Sequence, residues 1–189
     1  MTVRIFLDTN ALMCLSGLKE SDVGNFKNRI ERSGSELSIT HVQVDEKYRK
    51  ELRNYQQKIE KALARLVNKG INVKLEETKI PVEGVEREGC SRSGGQMVGS
   101  LYDELQKEID ACERDKGIIK PVLNIACDAV IAVSSLDHDF FITCDDCLSK
   151  RWQKIINKYG MLEQEHKIPK ICYAHPSPTE VANAILDIL

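Results

Sequence analysis

Short apolar runs along this chain alternate with longer stretches in which apolar residues recur every three or four positions. The runs predict β-strands at residues 3–7, 36–40, 71–77, 140–143 and 170–175. The longer stretches predict helices at residues 10–17, 22–32, 44–70, 97–115, 121–136 and 177–189. Residues 81–96 show little periodicity and are predicted to form a loop. Strands that alternate with helices favour an α/β fold around a mainly parallel sheet.

Composition and charge narrow the class of protein without naming a function. The chain has 189 residues, of which 42% are hydrophobic and 30% charged, as in ordinary globular domains. Its formal net charge of −2 gives no overall bias toward nucleic acid or membrane. The apolar run at residues 3–7 is too short for a signal peptide, and no stretch approaches a bilayer span. We therefore expect a soluble, cytoplasmic protein with no membrane partner.

The cysteines fit the same expectation. Seven cysteines without a secretory signal favour a reduced interior. Four of them lie among apolar or helical neighbours, where a free cysteine acts as a small hydrophobic residue: Cys14, Cys112, Cys127 and Cys172.

Acidic residues follow two of the predicted strands at the points where they end. Asp8 follows the apolar run IFL, and Asp145 and Asp146 follow the strand FIT. Because sites in parallel sheets gather beyond the carboxyl ends of strands, these acids can share one edge. Alternatively, Asp8 only caps the helix that follows it.

Two further acids extend this pattern. Asp128 lies in the apolar helix segment ACDAVIAV, where a buried carboxylate is costly unless it is paired or bound to a metal ion. A narrow polar stripe formed with Asn124 and Ser135 is the alternative. Glu46 follows the second strand by six residues. Four carboxylates brought together repel one another unless a cation neutralises them, and oxygen ligands suit Mg²⁺ or Mn²⁺.

The order of these acidic segments resembles that of the PIN-domain nucleases, which include the VapC-type toxins. The matching segments are FLDTN, SITHVQVDE, CDAVIAV and ITCDD, between residue 1 and about residue 148. The resemblance implies a three-layer α/β/α sandwich with a mainly parallel central sheet, and residues 1–189 would form a single PIN-like domain. Compared with a typical small toxin, residues 76–115 would be an enlargement.

The same resemblance implies a divalent-metal-dependent endoribonuclease that hydrolyses RNA phosphodiester bonds and uses Mg²⁺ or Mn²⁺. Carried over by motif, its catalytic residues are Asp8, Glu46, Asp128 and Asp145. Its metal ligands are Asp8, Asp128 and Asp145, with Asp146 as the alternative to Asp145. Asn10 and Thr143 are expected to form hydrogen bonds to the ligands from outside the metal shell.

Basic residues near these acids suggest a path for RNA. Lysine and arginine side chains can neutralise phosphates, and a tryptophan ring can stack on a base. The candidates are Arg49, Lys50, Arg53, Lys150, Arg151 and Trp152. The alternative is a solvated helix face, because Glu51 and Glu60 lie among them.

The segment CDDC has the spacing of a redox pair or of half a zinc site. No second pair with metal-ligand spacing accompanies it in the sequence, and His41 and His138 are isolated. This chemistry is therefore the weaker interpretation.

Two functional hypotheses remain. The first is the metal-dependent endoribonuclease; the second is a non-catalytic PIN-like module for RNA binding or assembly. RNA is the expected partner of either, and the resemblance adds a small antitoxin-like protein and a homodimer. The sequence does not separate a toxin from an RNA-processing or decay enzyme, although the length of the chain departs from that of a typical small toxin.

Overall fold

A computed structural model describes residues 2–44, 53–78, 96–117, 122–159 and 166–189. Its strands are β1 (Arg4–Leu7), β2 (Glu36–Thr40), β3 (Val73–Glu76), β4 (Phe140–Thr143) and β5 (Lys170–Tyr173). Its helices are α1 (Thr9–Ser16), α2 (Glu20–Ser33), α3 (His41–Val44), α4 (Arg53–Asn68), α5 (Gln96–Asp115), α6 (Val122–Ser134), α7 (Asp146–Lys158) and α8 (Pro178–Leu186). Within these ranges, no helix has both the length and the apolar character that crossing a membrane requires.

The five described strands form one parallel sheet in the order β3-β2-β1-β4-β5. The chain moves outward from β1 to β2 and β3, and then returns to the other side of β1 to form β4 and β5. The order therefore reverses between β1 and β4. In open α/β sheets, ligands bind at this reversal, outside the carboxyl ends of the two strands.

Helices cover both faces of the sheet, as in a three-layer α/β/α sandwich. Alternate residues of β1 point to opposite faces, so that Ile5 and Leu7 enter one apolar core and Phe6 enters the other. The first core includes side chains from α1, α2, α4 and α8, and the second includes side chains from α3, α5, α6 and α7. The predictions of an α/β fold and a mainly parallel sheet are confirmed.

The predicted elements agree with the described ones to within a few residues, but helix α7 (Asp146–Lys158) has no counterpart among the predicted helices. Helix α4, which begins at Arg53, is the described part of the single helix expected over residues 44–70, and the short helix α3 ends at Val44. Residues 45–52 between them lie outside the described residues. Gly70 follows α4 with a φ of 69°, which a glycine adopts without steric cost, so the predicted helix stop is confirmed.

Helix α5 belongs to the main body of the fold, although it lies inside the predicted enlargement at residues 76–115. Its apolar stripe, which includes Leu101, Leu105 and Ile109, is almost fully buried against α6 and α7. Residues 79–95 of that segment lie outside the described residues.

A disulfide joins α5 to the first turn of α7. Cys112 and Cys147 are bonded, with Cα atoms 6.2 Å apart. The prediction that Cys112 is a free hydrophobic thiol is therefore wrong. The sequence does not indicate this pairing, because the two cysteines are 35 residues apart and their contact depends on how the two helices pack.

Glu76, the last residue of the edge strand β3, is partly buried among polar side chains. Its Oε1 accepts hydrogen bonds from Ser38 Oγ at 2.8 Å and Arg4 Nη2 at 3.1 Å. His138 Nε2 lies 3.3 Å from its Oε2. The hydrogen bond to His138, followed by those from Ser38 and Arg4, outweighs burial and lowers the pKa of Glu76 to about 2.

We expect Glu76 to make the stability of the protein acid-sensitive. Because its folded pKa lies below its ordinary value, the stabilisation is complete above about pH 4.5 and is lost as pH falls through about 2. With solvent screening, the contribution to the free energy of unfolding is about 1–2 kcal/mol. Urea denaturation at neutral pH and at about pH 3 measures it. Glu76→Gln should flatten this pH dependence, whereas Glu77→Gln, at an exposed neighbour, should leave it unchanged.

Candidate functional site

The crevice between the carboxyl ends of β1 and β4 contains a cluster of acidic and hydroxyl side chains. Asp8 is the first residue after β1, and its backbone N–H donates to Ile142 in β4 at 3.0 Å. Thr143 is the last residue of β4, and Asp145 follows it by two positions. The reversal of strand order therefore places the two strand-end acids at one site, as their sequence positions predicted.

Asp8 caps α1 and at the same time lies at the centre of the cluster. Its Oδ1 accepts a hydrogen bond from Ala11 N at 2.6 Å, which satisfies a free N–H group of the first helical turn. Its Oδ2 accepts hydrogen bonds from Thr143 Oγ1 and from Cys144 N. The capping alternative for Asp8 is therefore correct as a description of Oδ1, and Oδ2 connects Asp8 to the end of β4.

The electrostatic setting of Asp8 is unfavourable for a carboxylate without a cation. Burial raises the pKa of Asp8 to about 6, although three hydrogen bonds oppose the shift. The negative charge of Asp128 contributes to this rise in the pKa. Only 3% of Asp8 is exposed, so water screens the two charges poorly. A positive ion between them would relieve both effects.

Thr143 connects Asp8 to Asp145. Its hydroxyl donates to Asp8 Oδ2 and accepts a hydrogen bond from Asp145 N at 3.0 Å. Asp145 in turn caps α7, because its Oδ1 accepts from Leu148 N at 3.0 Å. The position of each acid is thus set by a strand end, a helix start and one shared hydroxyl group.

Asp128 reaches the cluster from α6, with the fully buried residues Ala129 and Val130 beside it in sequence. Its negative charge raises the pKa of Asp8, so the two carboxylates interact electrostatically. The alternative of a polar stripe with Asn124 and Ser135 holds only in part. Ser135 is fully buried and donates its hydroxyl to Ala132 O, whereas Asn124, one helical turn before Asp128, is partly exposed as Asp128 is.

Asp146 has a different environment from Asp145. Its Oδ2 lies 2.9 Å from Lys150 Nζ and 3.8 Å from Lys116 Nζ, and its side chain is 42% exposed. These contacts place Asp146 in surface ion pairs. Asp145 is the acid connected to Thr143, so it is the better match for the Thr-x-Asp motif.

A further group of possible metal ligands shares Asp145. One ligand atom each from Glu113, Asp145 and Cys147 lies within 4.8 Å of the others, so this group could hold a metal ion. Sequence reasoning missed Glu113. A signal was available, because Glu113 lies four residues after Ile109 and therefore continues the buried stripe of α5 as an acid.

Asn10 lies in the first turn of α1 with an exposed side chain. Three other predicted site residues, Glu46, Arg49 and Lys50, lie outside the described residues. Arg53 is the first residue of α4. The roles assigned to these residues stay predictions.

The prediction that Trp152 stacks on an RNA base is wrong. Trp152 is fully buried in the core between α6 and α7, and its indole N–H donates to Ser135 Oγ at 3.3 Å. Lys150 is paired with Asp146 on the surface, and Arg151 Nη1 lies 3.2 Å from Glu108. Contacts of these two residues with RNA stay predictions.

The two cysteines of CDDC do not form a pair with each other. Cys147 is bonded to Cys112, and the thiol of Cys144 forms a hydrogen bond with that of Cys14 beside Asp8. Burial is the main cause that raises the pKa of Cys144, and the charge of Asp8 adds to it. Cys144 is therefore held as a thiol, which makes it a weak nucleophile.

Comparison with known proteins does not identify a relative. No protein-family model matches the chain, and a search of curated proteins finds no significant match. The resemblance to PIN-domain nucleases thus stays a prediction, which depends on four motifs and on the positions of their acids.

Proposed function

We propose that this protein is a PIN-like, Mg²⁺- or Mn²⁺-dependent endoribonuclease. The observation that carries the proposal is the buried Asp8 at the reversal of strand order, with Asp128 close enough to raise its pKa. A carboxylate as deeply buried as that of Asp8 is expensive to keep charged when a second negative charge acts on it. Sites that accept this expense are frequently functional.

The donor set fits a hard divalent cation. Asp8, Asp128 and Asp145 offer carboxylate oxygens, the ligands that Mg²⁺ and Mn²⁺ take, whereas Cys144 is retained as a thiol. These three acids would hold the ion, with Glu46 as a predicted fourth. When bound, the ion would polarise a phosphate oxygen and lower the pKa of water.

The protein's own groups would orient the reaction. Thr143 would keep Asp8 and Asp145 at a fixed separation, because one hydroxyl forms hydrogen bonds at both acids. The capping bonds from Ala11 N and Leu148 N would hold the two carboxyl groups toward the crevice. A site built on strand ends and helix starts needs little rearrangement when RNA arrives, which favours catalysis by preorganisation.

Cleavage of end-labelled RNA with Mn²⁺, with Mg²⁺ and with excess chelator tests this proposal. We expect cleavage with either ion and none with chelator, and cleavage should return when Mn²⁺ is restored. Binding of RNA without cleavage across varied single-stranded substrates would contradict the proposal and favour the non-catalytic module.

Two substitutions of Thr143 distinguish the role of its hydroxyl group from that of its methyl group. We expect Thr143→Val to reduce cleavage about 10–100-fold, because the isosteric change removes the hydroxyl that positions Asp8 and Asp145. Thr143→Ser retains the hydroxyl and should recover most of the rate. The measurement is kcat and KM for RNA at saturating Mn²⁺; a fall in rate that Thr143→Ser shares with Thr143→Val would contradict a positioning role.

The partners follow from the same proposal. RNA is the substrate, and a homodimer and a small antitoxin-like inhibitor remain predictions from the resemblance. Size measurement in solution tests the dimer.

A further inference from the structure

A group of sulfur and oxygen atoms lies where the end of α5 meets the start of α7. Cys112 and Glu113 are consecutive residues in the last turn and a half of α5, and Asp145 and Cys147 lie at the start of α7. The ligand atoms of Glu113, Asp145 and Cys147 lie within 4.8 Å of one another, and Cys112 is bonded to Cys147. Two carboxylates and the sulfur of Cys147 therefore meet at this junction, and the sulfur of Cys112 is bonded to that of Cys147; we term these four residues the α5–α7 cluster.

We propose that reduction of the Cys112–Cys147 disulfide turns the α5–α7 cluster into a zinc site. A dithiol reductant supplies two electrons and two protons, the S–S bond breaks, and each sulfur becomes a thiol while the reductant closes to its own disulfide. Coordination of Zn²⁺ then releases the two thiol protons to solvent. The proposal goes beyond the nuclease function and does not require it.

The donor set favours zinc over the ions of the nuclease proposal. Zinc takes four ligands from cysteine sulfur at about 2.3 Å and carboxylate oxygen at about 2.0–2.2 Å. Mg²⁺ and Mn²⁺ prefer oxygen ligands alone, so two thiolates select against them. Two sulfurs on one tetrahedral zinc lie about 4 Å apart. Opening of the S–S bond allows this separation with small movements of two helix ends.

The burial of three of its four residues supports an enclosed site. Cys112 is 8% exposed, Glu113 7% and Cys147 1%, so the ligands are shielded from competing water. Asp145 is partly exposed at the crevice and leaves an entrance for the ion. The disulfide and the zinc ion use the same two sulfurs, so the two states exclude each other.

Zinc binding by the full chain in two redox states tests this proposal. One sample is reduced with dithiothreitol, which gel filtration under nitrogen then removes, and the other stays oxidised. Titration of Zn²⁺ against a chromogenic chelator gives affinity and stoichiometry. We expect one zinc per reduced chain, bound about 100-fold or more tightly than by the oxidised chain. Titration with Co²⁺ should give thiolate-to-cobalt charge-transfer absorption in the reduced sample alone.

Variants assign the ligands. Cys147→Ser and Cys112→Ser should lose the tight zinc and the charge-transfer band. Glu113→Gln leaves both cysteines in place, so the disulfide can still form and be reduced. It should weaken zinc binding by the reduced chain about tenfold or more. Cys172→Ser, on the opposite face of the sheet, should bind zinc as wild type does. Equal zinc affinity in the two redox states, or wild-type affinity in Glu113→Gln and Cys147→Ser, would overturn the proposal.

Discussion

Asp8→Asn and Asp128→Asn should each reduce Mn²⁺-dependent RNA cleavage by about 10³-fold at saturating RNA. Each substitution keeps the shape of the side chain and removes one of the two neighbouring charges that favour a cation. Loss of a preorganised electrostatic group at a reacting centre has an effect of about this size. Single-turnover cleavage of labelled RNA is the measurement, because it reports the chemical step without product release.

The stability of the same variants provides the control for folding. Asp8→Asn removes a charge that burial disfavours but also one of the two oxygens that accept hydrogen bonds. We therefore expect it to stay folded without divalent ions, with a melting temperature close to that of wild type. Asp103→Asn changes an exposed acid on α5 and should keep full activity. Wild-type cleavage by both folded site variants would rule out the proposed roles of Asp8 and Asp128.

Trp152→Ala should destabilise the protein by about 3–5 kcal/mol, the usual cost of removing a large aromatic side chain from a core. The indole ring is fully buried, and its loss also leaves Ser135 Oγ without its donor. Urea denaturation followed by circular dichroism measures the change. Fluorescence cannot serve, because Trp152 is the only tryptophan in the chain.

A milder substitution of Trp152 distinguishes a packing role of its side chain from a contact with RNA. Trp152→Phe should retain most of the stability, because it fills much of the same volume and loses chiefly one hydrogen bond. Its affinity for RNA should equal that of wild type. Tyr173→Ala, at an exposed aromatic side chain, should change the free energy of unfolding by less than about 0.5 kcal/mol. Weaker RNA binding by a folded Trp152→Phe would contradict the core assignment.

The sequence alone predicts the parallel sheet and the positions of two candidate site acids, Asp8 and Asp145. An apolar run that ends abruptly in an acid, as at Leu7 and Asp8, marks both a buried strand and the place where a side chain leaves the core. The parallel order of strands then brings acids from distant segments to one edge. The sequence did not predict the contacts of Thr143 with both acids, because these depend on the register of β4 against β1.

The two errors have different physical causes. Proximity in sequence to Lys150 and Arg151 suggests that Trp152 contacts RNA. Helical spacing instead places Trp152 in a buried stripe with Leu148 and Ile155. That signal was present in the sequence. The bond between Cys112 and Cys147 has no local sequence signal. It depends on how two helices pack, and the two cysteines are 35 residues apart in the sequence.

Calorimetric titration of Mn²⁺ into the wild-type protein and into Asp8→Asn tests the central claim most directly, because it asks whether the acids around Asp8 form a cation site without assuming an RNA substrate. Wild type should bind Mn²⁺ saturably with at least one ion per chain, and Asp8→Asn should bind it about tenfold or more weakly. A wild-type protein that binds no Mn²⁺, or binds it no more tightly than Asp8→Asn, would contradict the claim.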